Sequence, residues 1–276
     1  MSDNSQGEMT FIQHLEVLRF HLMRSAIAIV VFSILAFANK SFLFDQVIFG
    51  PKRADFFTFQ KLCQFSEYLA QTFPSFFTDA SLLCLGMDFP PLQNIDMAGQ
   101  FTSHIMVSMI AGLVLSVPYI LYEFWKFIKP GLEQNEAKYA SGIVFWASLL
   151  FMSGVLFGYY VIAPLSVNFF FTYSISSEVQ TLPTLSAYVS TVTGVVLAAG
   201  VVFELPLIVY FLSKVGVLSP TLLKNYRKHF MVVALILSAI ITPPDIFSQI
   251  LVTIPLVFLY EVSIVISGRV IALNAK

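Results

Sequence analysis

Charge is scarce in this chain. Only 11% of its 276 residues are Asp, Glu, Lys or Arg, against 57% hydrophobic, where a soluble domain carries about 25% charged residues. That deficit excludes an ordinary water-soluble protein and predicts an all-α polytopic membrane protein. The net charge of -1 is therefore less informative than how charge divides across the membrane. Cysteine is scarce too: Cys63 and Cys84 are the only two, and no CxxC occurs, so neither a metal nor a redox motif is indicated. The P-loop pattern, GxSxG and HExxH are all missing. Their absence removes P-loop nucleotide hydrolysis and the common serine and zinc hydrolase chemistries. His14, His21, His104 and His229 are scattered; the first two share a helical face but offer too few ligands for a metal. No basic stretch interleaved with aromatics points to nucleic acid. The expectation is a non-enzyme with no cofactor and no metal.

Long apolar runs are what the chain has in abundance. Roughly 20 apolar residues, at about 1.5 Å rise each, cover the ~30 Å of a bilayer core. Six spans are predicted, at about 20–38, 101–124, 142–163, 188–212, 229–241 and 246–266, forming a single membrane domain over 1–276 with a long external loop at 39–100. An amphipathic helix bearing Phe11, Leu15, Leu18 and Leu22 leads into the first. Residues 1–10 lack the basic and apolar regions of a cleaved signal peptide, so the first span is expected to direct insertion. The third span is read as ending at Pro164, with a loop over 165–187. The fifth run has 13 residues and reaches only about 20 Å. Short fifth and sixth spans predict a cup- or glove-like shape beside a locally thinned membrane. No internal repeat is visible.

Basic residues set the orientation. Arg19, Arg24, Lys126, Lys129, Lys138, Lys214, Lys224, Arg227, Lys228, Arg269 and Lys276 fall on one side. Lys40, Lys52, Arg53 and Lys61 fall on the other, all in the long first loop. The expectation is two cytoplasmic termini.

Acids in unlikely places carry the chemistry. Glu204 sits in the apolar run from Tyr188 to Leu212, where a charge costs at least ~2.5–3.5 kcal/mol and usually marks function. Pro206 beside it frees a carbonyl one turn back and lets the helix bend. The alternative for Glu204 is a protonated, hydrogen-bonded structural residue. Glu16 lies on the N-terminal amphipathic helix, Glu133 and Glu136 in the second loop, Asp245 after the fifth run and Glu261 in the sixth. Two acids within reach of each other suit the rigid fork of a guanidinium. These residues leave open a receptor for a basic peptide or a transporter with a proton-coupled carboxylate.

Four sets of residues go further: His14-Leu15-Glu16-Val17-Leu18-Arg19; Trp125-Lys126-Phe127-Ile128-Lys129-Pro130-Gly131-Leu132 followed by Glu136; Phe157-Gly158-Tyr159-Tyr160-Val161-Ile162-Ala163-Pro164; and Phe203-Glu204-Leu205-Pro206 with Thr242-Pro243-Pro244-Asp245-Ile246-Phe247-Ser248-Gln249. In order and spacing the chain resembles TatC, the multi-spanning subunit of the twin-arginine protein translocase, from Phe11 to about Gly268. The resemblance implies a bacterial inner-membrane receptor for twin-arginine signal peptides. It would work with single-span TatA and TatB partners, and with further copies of itself, to export folded proteins on the proton-motive force. It also implies that Glu16, Arg19, Phe127 and Glu136 bind the signal peptide. Glu204 and Gln249 become intramembrane polar sites or partner contacts, and Pro51, Pro206, Pro243 and Asp245 structural positions.

The chain departs from the family pattern in three places. The usual N-terminal HLxELR puts an acid three residues after the histidine; here Val17 stands there and Glu16 precedes it. Ala137 replaces a basic residue that often follows the loop acid. The first external loop is long and carries both cysteines, and in a bacterial envelope a Cys63–Cys84 disulfide is expected. The alternative reading is a proton-coupled secondary transporter of a small solute built on Glu204; it calls for internal repeats.

Overall fold

The computed structural model describes residues 11–73, 84–86, 89–128, 140–176, 178–179, 181–243 and 246–274. The described chain is helical, apart from one isolated parallel bridge between Gln93 and Thr184. Its helices are α1 (Phe11–Ala38), α2 (Phe57–Thr72), α3 (Gly99–Ile128), α4 (Ala140–Phe157), α5 (Ala163–Thr172), α6 (Leu185–Phe203), α7 (Leu205–Lys214), α8 (Pro220–Asn225), α9 (Arg227–Ile241) and α10 (Ile246–Asn274).

Five helical stretches among the described residues are long and apolar enough to cross a membrane: Leu15–Ala38, Gly99–Ile128, Gly142–Thr172, Leu185–Lys214 and Ser248–Ala272. The expectation of six is corrected to five. The failing run is the fifth: α9 has 15 residues and rises about 22 Å, short of a ~30 Å core. The expected short sixth span is corrected as well, since α10 runs for 29 residues. It passes through Pro255, and the helix continues beyond Ile266 through Ser267, Gly268 and Arg269 to Asn274.

Pro164 does not end the third span either. A π-helical turn at Gly158–Ile162 joins α4 to α5, and Pro164 sits in the first turn of α5. A proline gives no N–H to the carbonyl four residues earlier, here that of Tyr160. The Thr58 hydroxyl on α2 donates to that carbonyl instead, so the backbone account closes and the helix goes on.

Contacts divide the chain into two units, one drawn from Met1–Ala38 and Ser108–Leu149, the other from Asn39–Val107 and Leu150–Lys276. In the first, α1 meets α3 at Gly112, where an added Cβ would fall 2.5 Å from the Ser33 nitrogen. Only a residue without a side chain permits that approach. Away from this seam α1 is apolar and exposed, at Leu22, Ile27, Val30 and Ile34 among others, as expected of a helix facing lipid or another helix.

The second unit holds an apolar core built on Ile162, Val195, Ala199, Ala234, Val252 and Leu256. Gly154 and Gly158, one GxxxG spacing apart, let α4 and its π turn come against Ala199 of α6; a Cβ on Gly154 would sit 2.7 Å from the Ala199 carbonyl oxygen. The segment after α1 is pinned to the same core. Tyr159 and Tyr188 donate to the Val47 and Ile48 carbonyls, each at 2.7 Å, holding the buried Pro51 in a short 3-10 turn. A disulfide joins Cys63 of α2 to Cys84, and the Gly86 amide donates to Asn168 of α5 at 3.2 Å. Hydroxyls tie the last helices together: Ser213 donates to Ser267 at 2.8 Å, and Tyr260 to the Leu223 carbonyl at 2.7 Å.

Candidate functional site

At the end of the first unit where α1 begins, one acid collects the nearby donors. Glu123 of α3 is 2% exposed. The His21 Nδ1–H donates to its Oε2 at 2.6 Å, and the Tyr119 hydroxyl bonds it from one turn earlier. Arg24 Nη1 stands 3.7 Å from Oε2 and Lys126 Nζ 3.7 Å from Oε1, inside ion-pair range but beyond hydrogen-bond length. Both cations stay largely in the open, at 56% and 41% exposed, and Lys126 also lies 4.4 Å over the Tyr122 ring. The His21 ring in turn meets Phe127 edge-on, with centroids 6.2 Å apart. One carboxylate thus joins α1 to α3 and, through His21, reaches an expected signal-peptide contact.

The expected α1 residues lie elsewhere on that helix. Glu16 and Arg19 are exposed. Glu16 is five residues from His21, which turns it about 140° around the helix, whereas Val17, four residues away, shares the His21 face. Glu16 therefore does not join the Glu123 cluster, and the α1 position facing α3 is apolar. Glu136 and Asp245 lie outside the described residues.

The second unit holds a second acid with a buried carboxyl group. α6 ends at Phe203, Glu204 adopts a turn conformation (φ -76°, ψ 0°), and α7 starts at Leu205 with the buried Pro206 in its first turn. Both carboxyl oxygens of Glu204 are buried, with no hydrogen-bond partner among the described residues. Gln249 is engaged: its amide donates to the Leu235 carbonyl at 3.1 Å and ties α10 to α9, where Thr253 and Ser238 meet at 2.7 Å. Pro243 is buried just beyond α9. No group of three or more His, Cys, Asp or Glu among the described residues could hold a metal ion.

Sequence reasoning missed Glu123, and with it the role of His21. The sequence signal is weak: Glu123 falls at the end of the predicted second span, three residues before Lys126, where an acid is ordinarily solvated.

The family described as Sec-independent protein translocase protein (TatC) matches residues 13–255. The chain belongs to the TatC family. The Sec-independent protein translocase protein TatC of Blattabacterium sp. subsp. Periplaneta americana (strain BPLAN) is 40% identical over 264 residues, covering 96% of this chain and 97% of that one. That of Aquifex aeolicus (strain VF5) is 32% identical, covering 93% of each. Two crystal structures of the twin-arginine translocase receptor TatC, one of them in DDM, superpose with TM-scores of 0.65 and 0.67. Both are 30% identical and cover 92% of this chain and 97% and 99% of theirs. Membership decides between the two open readings: the chain is a translocase subunit, not a solute transporter and not an enzyme. It is a multi-pass protein of the bacterial inner membrane.

Proposed function

We propose that this TatC-family chain is the subunit that binds twin-arginine signal peptides at its cytoplasmic face and nucleates the export machinery for folded proteins. The observation that carries the reading is the likeness to the solved twin-arginine translocase receptor over 92% of the chain. The two signal arginines meet Glu136 and Glu16, with Phe127 and Arg19 completing the binding set. A pair of charge-assisted hydrogen bonds to each guanidinium supplies about 1.5–3 kcal/mol per bond.

Sidedness follows from charge. Lys214, Lys224, Arg227 and Lys228 cluster between α7 and the start of α9. α10 returns so that Glu261 pairs with Arg227 at 2.6 Å and Ser267 with Ser213. Its C-terminal end, with Arg269, thus shares the end of the basic loop. Within the first unit, Arg19, Arg24 and Lys126 lie toward one end. The short α9 and the longer α10 form a hairpin, tied at Ser238–Thr253 and Arg227–Glu261, that leaves and returns to the same side, so the excess of Lys and Arg puts these ends and both termini in the cytoplasm. Glu204, buried and without a donor, is the contact for a polar group on a partner's single span of the TatA or TatB type, worth about 0.6–2 kcal/mol. Export then draws on the proton-motive force.

A fluorescent twin-arginine peptide, titrated against the purified protein in nanodiscs, tests the receptor reading. Wild type is expected to bind it at least tenfold more tightly than a Lys-Lys peptide. Glu136→Ala should abolish that preference and Glu16→Ala reduce it. Equal binding of the two peptides by wild type would overturn the reading.

A further inference from the structure

The α1 face turned toward α3 lacks the acid that the family pattern places there, because Val17 occupies that position. The same seam contains a carboxylate from the opposite helix. Glu123 is all but fully buried, takes a 2.6 Å bond from His21 and holds Arg24 and Lys126 at 3.7 Å. Burying an acid this deeply is costly unless its charge is matched, and here donors from both helices match it. The arrangement fixes two things at once. It sets the rotation of α1 about its own axis, which decides where Glu16 and Arg19 present themselves, since one residue of slip turns a side chain about 100°. It also sets the His21 ring against Phe127, whose own helix carries Glu123 four residues earlier, on the same face.

We infer that Glu123 and His21 are positioning residues for signal-peptide recognition, acting through Phe127 and the register of α1 rather than by touching the peptide. The inference rests on the signal-receptor reading above. It separates the cluster from a generic helix staple because the essential feature is a donor at position 21 held by an acid at 123. His21→Arg retains a donor to the carboxylate; His21→Leu fills similar space without one. Glu123→Gln keeps the shape and removes the charge that holds Arg24 and Lys126.

The test is twin-arginine peptide binding by full-length protein in nanodiscs, with thermal unfolding of each variant recorded alongside. His21→Leu and Glu123→Gln are expected to weaken binding at least tenfold. His21→Arg is expected to stay within about threefold of wild type, a single charged hydrogen bond being worth tenfold or more. Unchanged binding in His21→Leu would overturn the inference with the receptor reading intact. Equal loss in His21→Leu and His21→Arg would overturn it too, because packing alone would then explain the site. Failure of wild type to prefer the twin-arginine peptide would remove both.

Discussion

Glu123 and Glu204 are both acids on long apolar helices, yet their surroundings are opposites. Glu123 takes hydrogen bonds from His21 and Tyr119 and has two cations within ion-pair range. Glu204 has both oxygens buried with no hydrogen-bond partner among the described residues. Helix geometry explains the contrast. Glu123 lies on an unbroken helix against a neighbour whose third and fourth turns carry His21 and Arg24. Glu204 sits where α6 stops and Pro206 starts α7, surrounded by Val202, Phe203 and Leu205. A matched acid organises its own subunit. On the proposed function, the unmatched one takes its donor from a partner span, so that peptide and partner are bound at separate places.

The comparison breaks most severely if the seam beneath Glu123 is forced open. Gly112→Val sets a side chain against the Ser33 backbone, where even a Cβ lies 2.5 Å from the nitrogen and 2.7 Å from Cα. Overpacking of this kind costs about 1–3 kcal/mol, and the upper end is expected from unfolding in detergent. An unchanged midpoint would mean that α1 and α3 do not meet there. The two acids can next be set against each other directly. Glu123→Leu strands the half-buried His21 donor and should cost about 1–3 kcal/mol, whereas Glu204→Leu removes a group that had nothing to lose and should change stability by less than about 0.5 kcal/mol. Equal losses on thermal unfolding would erase the distinction. The smallest effect is expected at the exposed Arg227–Glu261 pair, 44% and 43% exposed at 2.6 Å. Arg227→Ala should cost about 0.2–1 kcal/mol at low salt and less at high salt; a salt-independent loss would show the pair to be better shielded than its exposure indicates.

Much of this was legible in the apolar runs. They locate α1, α3, α4, α6 and α10, and the motifs around Phe127, Glu204 and Thr242–Gln249 identify the family. The missed features depend on residues distant in sequence. Pro164 reads as a stop because its freed Tyr160 carbonyl is taken up by Thr58, 102 residues away. Glu123 reads as the edge of a span because its principal partner, His21, also lies 102 residues away. The error in the span count has a different origin. The short length of the fifth run is already visible in the sequence; reading it as a span rests only on supposing a thinned membrane, and the 15 residues of α9 fall short of a ~30 Å core. The N-terminal acid was ambiguous for a third reason: the shift from position 17 to 16 acquires meaning only once the α1 face that meets α3 is known.

The most direct test of the division of labour measures two outputs on the same membranes: twin-arginine peptide binding, and site-specific crosslinking to a TatA- or TatB-type single span. Glu204→Ala is predicted to lose the span crosslink and keep peptide affinity within about threefold. Glu123→Gln is predicted to do the reverse, losing peptide affinity at least tenfold while keeping the crosslink. Loss of both outputs in either variant, or an unchanged crosslink in Glu204→Ala, would contradict the assignment of the matched acid to the peptide and the unmatched one to the partner.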